Sequence, residues 1–226
     1  MNVVPLPAAD EAPLPSVDQI LDKYVAASGG REAIEKLTSR MSKGTIEIPT
    51  FNASGTYEQY NKANRQVTIS KFEGYGVVTQ CFDGQAGWAS DPQQGMRDMS
   101  GHELALTKRA ADLQGVLHTK QHYKTLAVSG KGKVGDHDAY ILDGVLPEGG
   151  TEKLYFDTQS GLLLRMETPI ENATFNILFE DYRDVEGMKL PATIKQESPQ
   201  ISIIVKVQET KNNVPVDDDK FAKPAK

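Results

Sequence analysis

Along most of this chain apolar and polar residues alternate with a period of two, the signature of a strand with one greasy and one wet side. In "TFNILFED", Phe175, Ile177 and Phe179 face one way, while Thr174, Asn176 and Glu180 face the other. "ISIIVKV" repeats this, with Ile201, Ile203, Val205 and Val207 set against Ser202, Lys206 and Gln208. The same reading gives "RMSKGTIEI", "ASGTYEQYN", "RQVTISKF", "GVVTQCF" and "AGWAS" before Asp91, punctuated by Pro49, the Asn61–Asn64 turn, Gly74 and Asp83-Gly84. It resumes with "YKTLAVSG", "HDAYILDGVL", "TEKLYFD", "LLLRMET", "NATFNILFEDY" and "KLPATIKQE". Short segments separated by turn residues predict an antiparallel meander of roughly twelve strands.

Helical spacing interrupts the alternation. "SVDQILDKYVAASGG" carries Val17, Ile20, Leu21, Tyr24 and Val25 at helical intervals, with Ser16 as cap and Gly29-Gly30 as stop. "REAIEKL" follows, with Ile34 and Leu37 on one side. "SGHELALTKRAADL" predicts a helix inserted among the strands, with Ser100 and Glu103 at capping-box spacing and a modest apolar face from Leu104, Ala111, Leu113 and Leu117. A sheet of about twelve strands must curl or split. With one face greasy, it is expected to wrap around something, and these few helices are too weakly apolar to fill it. A residual cavity follows.

Composition narrows the partners. The 226 residues carry 25 basic and 31 acidic side chains, a net charge of −6, with no basic run to hold nucleic acid. One cysteine excludes an intrachain disulfide and a multi-cysteine metal site. No apolar run reaches the roughly 18 residues of a membrane-spanning helix. "MNVVPLPAADEAPLPS" has no signal-peptide pattern and reads as a proline-rich linker over residues 1–15, expected of a processed or excised chain. One domain over 16–222 and a frayed end at 223–226 complete the expected organisation. Asn52 and Asn172 begin glycosylation sequons, relevant only in a eukaryotic secretory host.

No chemical motif holds up. "GKGKVG" at 130–135 has the glycine spacing of a dinucleotide loop, but a strand follows where a helix is required, so it reads as a hairpin turn. His118 and His122, four apart, form a metal edge only if His102 or a carboxylate such as Asp112 joins them; otherwise they are solvated histidines in a connection. Cys81 alternates in phase with Val77 and Thr79 beside Asp83, the setting of a buried structural thiol. Adjacent carboxylates such as Glu180 and Asp181 point to opposite faces, and Asp217–Asp219 reads as a solvated tail. No catalytic residue, metal or cofactor is expected. Trp88, Met96 and Met99 either plug one end of the sheet or meet a ligand.

Several stretches together are similar to one known family. "SVDQILDKYVAASGGREAIEKLTSRMSKGTIEI", "FDGQAGWASDPQQGMRDMSGHELALTKRAADL", "DAYILDG", "LYFDTQSGLLLRMET" and "FEDYRDVEGMKLPATI" resemble the bacterial lipoprotein-sorting superfamily of LolA- and LolB-like periplasmic carriers. The resemblance runs from about Ser16 to Ala222 and rests on the order of elements, the Asp83-Gly84…Gly87-Trp88 hairpin and the Asp157…Gly161-Leu162 turn. It implies an α+β fold, mainly β: an incomplete, strongly curved antiparallel barrel of about 11–12 strands with N-terminal helices and an inserted lid helix. It further implies an exported, periplasmic, non-enzymatic carrier for an acyl chain, a lipid or a lipidated protein. The other reading is a ligand-free interaction domain serving a partner or a fused exported module; no Cys-x-x-Cys-His for covalent haem and no lipidatable N-terminal cysteine is present. Cavity candidates are Trp88, Met96, Met99 and Leu104 from the hairpin and lid, and Phe156, Met166, Phe175, Ile177 and Phe179 from the strands. A dry cavity alone suffices for affinity, since burial gains about 0.8 kcal/mol per methylene, on the order of 10 kcal/mol for a chain of about fourteen carbons before ordering costs.

Overall fold

The computed structural model describes residues 13–147, 149–170 and 173–224. Positions 1–12 of the expected linker, the Asn172 sequon and the last two residues of the expected frayed end lie outside the described residues. Helix α1 (Val17–Ala27) starts at Ser16 with a complete capping box, in which Ser16 and Gln19 satisfy each other's backbone N–H groups. Gly29 and Gly30, at φ 121° and 83°, turn the chain into the short helix α2 (Arg31–Glu35).

The first run of strands is β1 (Ser39–Ile48), β2 (Ala53–Lys62), β3 (Arg65–Phe72), β4 (Gly76–Phe82), β5 (Gly87–Asp91) and β6 (Gly95–Asp98). Helices α3 (Gly101–Ala111) and α4 (Gly115–His118) follow. The second run is β7 (Thr125–Val134), β8 (His137–Val145), β9 (Thr151–Asp157), β10 (Leu163–Ile170) and β11 (Ala173–Glu180). It continues through a small hairpin, β12 (Arg183–Val185) and β13 (Met188–Leu190), to β14 (Thr193–Glu197) and β15 (Ser202–Asn212). Thirteen strands form one antiparallel sheet in the order β6-β5-β4-β3-β2-β1-β15-β14-β11-β10-β9-β8-β7, and its two edge strands do not pair. The sheet is mainly β with few helices, and it is not closed into a barrel.

The strand count exceeds the expected twelve for local reasons. Short β6 has no apolar alternation; it forms because Asp91 accepts from the N–H groups of Gln93 and Gln94 and Gly95 takes a left-handed φ of 70°. The segment read as one strand, "KLPATIKQE", breaks at Pro191, which cannot donate to a ladder. Met188–Leu190 instead pairs with Arg183–Val185 around Glu186-Gly187, both at positive φ. The capping box expected at Ser100 does not form, because Glu103 is drawn to Arg97 in a two-pronged ion pair at 2.6 and 2.7 Å.

Curvature follows from the contacts. Helix α3 packs on β3–β5, and the carbonyl of Ala110 accepts from Asn61 of β2. Its next residue back, Arg109, reaches Glu152 of β9. In a flat sheet β3 and β9 would stand about 34 Å apart, seven strand spacings of about 4.8 Å. One helix touches both only because the sheet curls around it.

The two faces differ in character. On the helix-bearing face, α1 packs its Ile20 and Leu21 onto Leu142, Leu154 and Phe156, while Ile46, Tyr57, Phe72 and Val205 form a second cluster. The opposite face carries ion pairs such as Lys153–Asp143, Lys195–Glu180 and Lys206–Glu47. One patch of that face is covered by the C-terminal strap: Val216 and Phe221 lie on Tyr60, Val67, Cys81 and Trp88. The Asp217–Asp219 run, read as a solvated tail, anchors this strap, since Asp218 pairs with both Lys62 and Arg65 at 2.8 Å. Cys81 is 0% exposed and its thiol donates to the Phe221 carbonyl at 3.4 Å. Burial, and then the nearby Asp83, push the thiol up to about 12. The native protein is therefore expected to resist a thiol reagent such as DTNB at pH 8, and to react with one equivalent once unfolded. A rapid native reaction would show that the strap opens readily.

Candidate functional site

The alternation along each strand and the pairing registers place one continuous set of side chains under the helices. From β10, β11, β14 and β15 come Met166, Phe175, Ile177, Phe179, Ile194 and Ile203, linked by the pairs Met166↔Ile177 and Phe179↔Ile194. All six are half-buried, although they stand in the middle of the sheet. Large apolar side chains there would be fully covered in an ordinary packed core. Their accessible surface marks a groove that the helices only partly roof. At its rim Phe51, in the connection from β1 to β2, is 68% exposed.

Two small cavities lie beneath the roof. One of about 150 Å³ is lined by Tyr24, Ile34, Leu37, Leu113, Val116, Leu163 and Phe179, with Arg40 at its wall. The other, about 230 Å³, lies between Ile20, Lys23, Tyr140, Phe156 and Gly161. Each is below the roughly 300 Å³ at which pockets for drug-sized ligands begin. A long chain needs the open groove or a shift of the helices.

A buried charge ties helix to sheet. Glu152 of β9 is 0% exposed and lies in phase with Leu154 and Phe156 on the groove face. Arg109 of α3 grips it with two hydrogen bonds, at 2.7 and 2.8 Å, Thr168 donates at 2.8 Å, and the Tyr123 hydroxyl donates a further, short bond. Burial alone would raise the Glu152 carboxyl; the guanidinium and the hydroxyl donors outweigh it and hold it below the ordinary carboxylate range. Sequence reasoning passed over this cluster. A signal was present: a carboxylate in the apolar phase of "TEKLYFD" demands a cation from elsewhere.

The sequence-derived candidates divide between the faces. Phe156, Met166, Phe175, Ile177 and Phe179 share the groove face. Leu104 of α3 stands over Gly87, where a Cβ would lie 2.6 Å from its Cδ1, and Met99 borders the same glycine. Trp88, next in the strand, points the other way into the strap cluster, and Met96 pairs at Ser90 on that outer side. The strands β5 and β6 and the helix α3 thus serve both faces. Of the histidines, His118 lies 2.7 Å and His122 4.0 Å from the same Asp112 carboxylate oxygen. Burial, with Arg109 second, lowers His122 from its ordinary value. His102 pairs with neither, and among the described residues no group of three or more His, Cys, Asp or Glu side chains is arranged to hold a metal ion.

The groove-bearing curved sheet with helices on its inner face is a LolA-like fold. A LolA superfamily protein from Nitrosomonas europaea superposes with a TM-score of 0.62 at 12% identity, over 93% of this chain and 99% of that one. A DUF1329 family protein from Desulfovibrio piger gives 0.63 at 15% identity, over 91% and 97%. No protein-family model matches the sequence, and no curated protein does so. Among the described residues no helix is long and apolar enough to cross a membrane.

Proposed function

We propose that this chain is an exported, periplasmic, non-enzymatic carrier or binding domain that takes an acyl chain, a lipid or a lipidated protein into the groove between the curved sheet and its helices. The observation that carries the reading is the half-burial of Met166, Phe175, Ile177, Phe179, Ile194 and Ile203 on the inner face. Such a wall gains about 0.8 kcal/mol for each methylene it removes from water, and it needs no charged partner. Helix α3 acts as the lid in this reading, held down where Arg109 meets Glu152. In this reading, lifting α3 widens the groove for the ligand.

The test is mass spectrometry of the purified protein, native first and then after organic extraction. The expected result is one lipid species in stoichiometric amount, lost on extraction. An empty protein that also fails to bind a fluorescent fatty acid would overturn the carrier and leave the ligand-free interaction domain of the same fold.

A further inference from the structure

Five side chains cross the groove face in a single line. Thr210 of β15 lies opposite Ser42 of β1, Ser42 opposite Gln59 of β2, Gln59 opposite Thr68 of β3, and Thr68 opposite Gln80 of β4. Each carries a hydroxyl or an amide, and none is charged. The next row holds Val207, Gly44, Tyr57 and Val78 with a single hydroxyl, Ser70, and the row beyond it, Val205, Ile46, Gly55, Phe72 and Gly76, is wholly apolar. A surface meant only for hydrocarbon would carry aliphatic residues in this line too, because polar groups roofed by an apolar chain lose their water without replacement.

The ladder satisfies itself only in part. Ser42 and Thr210 share a bond at 3.3 Å, the Tyr57 hydroxyl donates to Gln59 Oε1 at 2.8 Å, and Gln66 donates to Thr68 at 3.3 Å. The amide nitrogens of Gln59 and Gln80 donate to no other described side chain. Register puts both on the groove face; past Gln80 the row continues through Ala89 to Arg97, which is held by Glu103. In the adjoining row under α3, Asn61 is committed to the Ala110 carbonyl and Arg40 to Asn212 Oδ1 at 2.8 Å.

We infer that this ladder seats the polar head of the bound lipid, and that the head is uncharged and bears hydroxyl or ester oxygens, as an acylglycerol does. The inference rests on the carrier reading above and adds the ligand's class to it. Amide N–H donors and hydroxyls match ester and hydroxyl oxygens. A carboxylate or phosphate in the same place would be desolvated against neutral dipoles, a costly exchange. The cations around the ladder are already engaged: Arg97, two strands beyond Gln80 in the same row, grips Glu103, Arg109 grips Glu152, and Arg40 bonds Asn212 at the wall of the cavity under the helices.

Three ligands with one acyl chain and different heads decide the matter: 1-monooleoylglycerol, oleate and oleoyl-lysophosphatidate, each displacing a fluorescent fatty-acid probe at pH 8. The neutral lipid is expected to displace the probe at about tenfold lower concentration than either anion, a difference of about 1.4 kcal/mol. In a Gln59→Leu, Thr68→Val, Gln80→Leu variant the preference should collapse while the probe still binds. Gln80→Leu alone, at an exposed position, repeats the comparison if the triple variant does not fold; a several-fold loss of preference is expected there. Equal or tighter binding of the anions would overturn the head-group assignment and leave the carrier standing. Failure of the protein to bind the probe or any of the three lipids would overturn both.

Discussion

Arg109→Met is expected to destabilise the protein by about 3–5 kcal/mol, measured by urea unfolding at pH 7, because it strands the fully buried Glu152 carboxylate without its cation. The double variant Arg109→Met, Glu152→Leu should recover most of that loss, since an apolar pair needs no desolvation to be repaid. The pH profile separates this cause from lost packing. In the native protein Glu152 is held below its ordinary value, so its contribution is present above the unfolded pKa of about 4.3 and fades as pH falls through the folded value. Without Arg109 burial prevails and the folded pKa rises above the unfolded one. The variant should then lose further stability as pH rises from about 4 toward neutrality, the opposite slope from the parent. An unchanged slope would show that Arg109 acts through packing alone.

Phe221→Ala is expected to cost about 3–5 kcal/mol, the range for emptying a buried phenylalanine site. Phe221 is 2% exposed, lies under the guanidinium of Arg65 at 4.8 Å, and holds the strap on Cys81 and Trp88. A second readout follows from the position of the thiol. With the ring gone, Cys81 should react with DTNB under native conditions, where the parent does not. A stable variant with a silent thiol would mean that the strap is held by Asp218 and its two cations rather than by its aromatic anchor.

Much of this architecture is legible in the residues, because the inner wall depends on a period of two. "TFNILFED" and "ISIIVKV" carry their groove-facing residues in the phase read from the sequence, and Ser16 and Gly29-Gly30 bound α1 as expected. The Trp88–Met96–Met99 grouping shows the limit. Nearness in sequence joins them, yet the phase of β5 sends Trp88 outward while the chain after β6 folds Met99 beneath α3. The Arg109–Glu152 pair spans 43 residues and the polar ladder spans five strands. Both depend on register, and the bulge at Lys43/Gly44 shifts β1 against β15 by one residue. Alternation tells which side a residue faces; it does not tell which residue it meets.

The pairing of β1 with β15 also governs how the chain reaches its native state. Arg40 and Asn212 meet across 172 residues, so the centre of the sheet is the contact that demands the longest loop closure. Such non-local topology places folding in the millisecond-to-second range rather than in microseconds. The two meanders on either side can form early, each from neighbouring hairpins. Until they join, β1 and β15 are open edges beside uncovered apolar rows, and the slow step is also the one most exposed to aggregation.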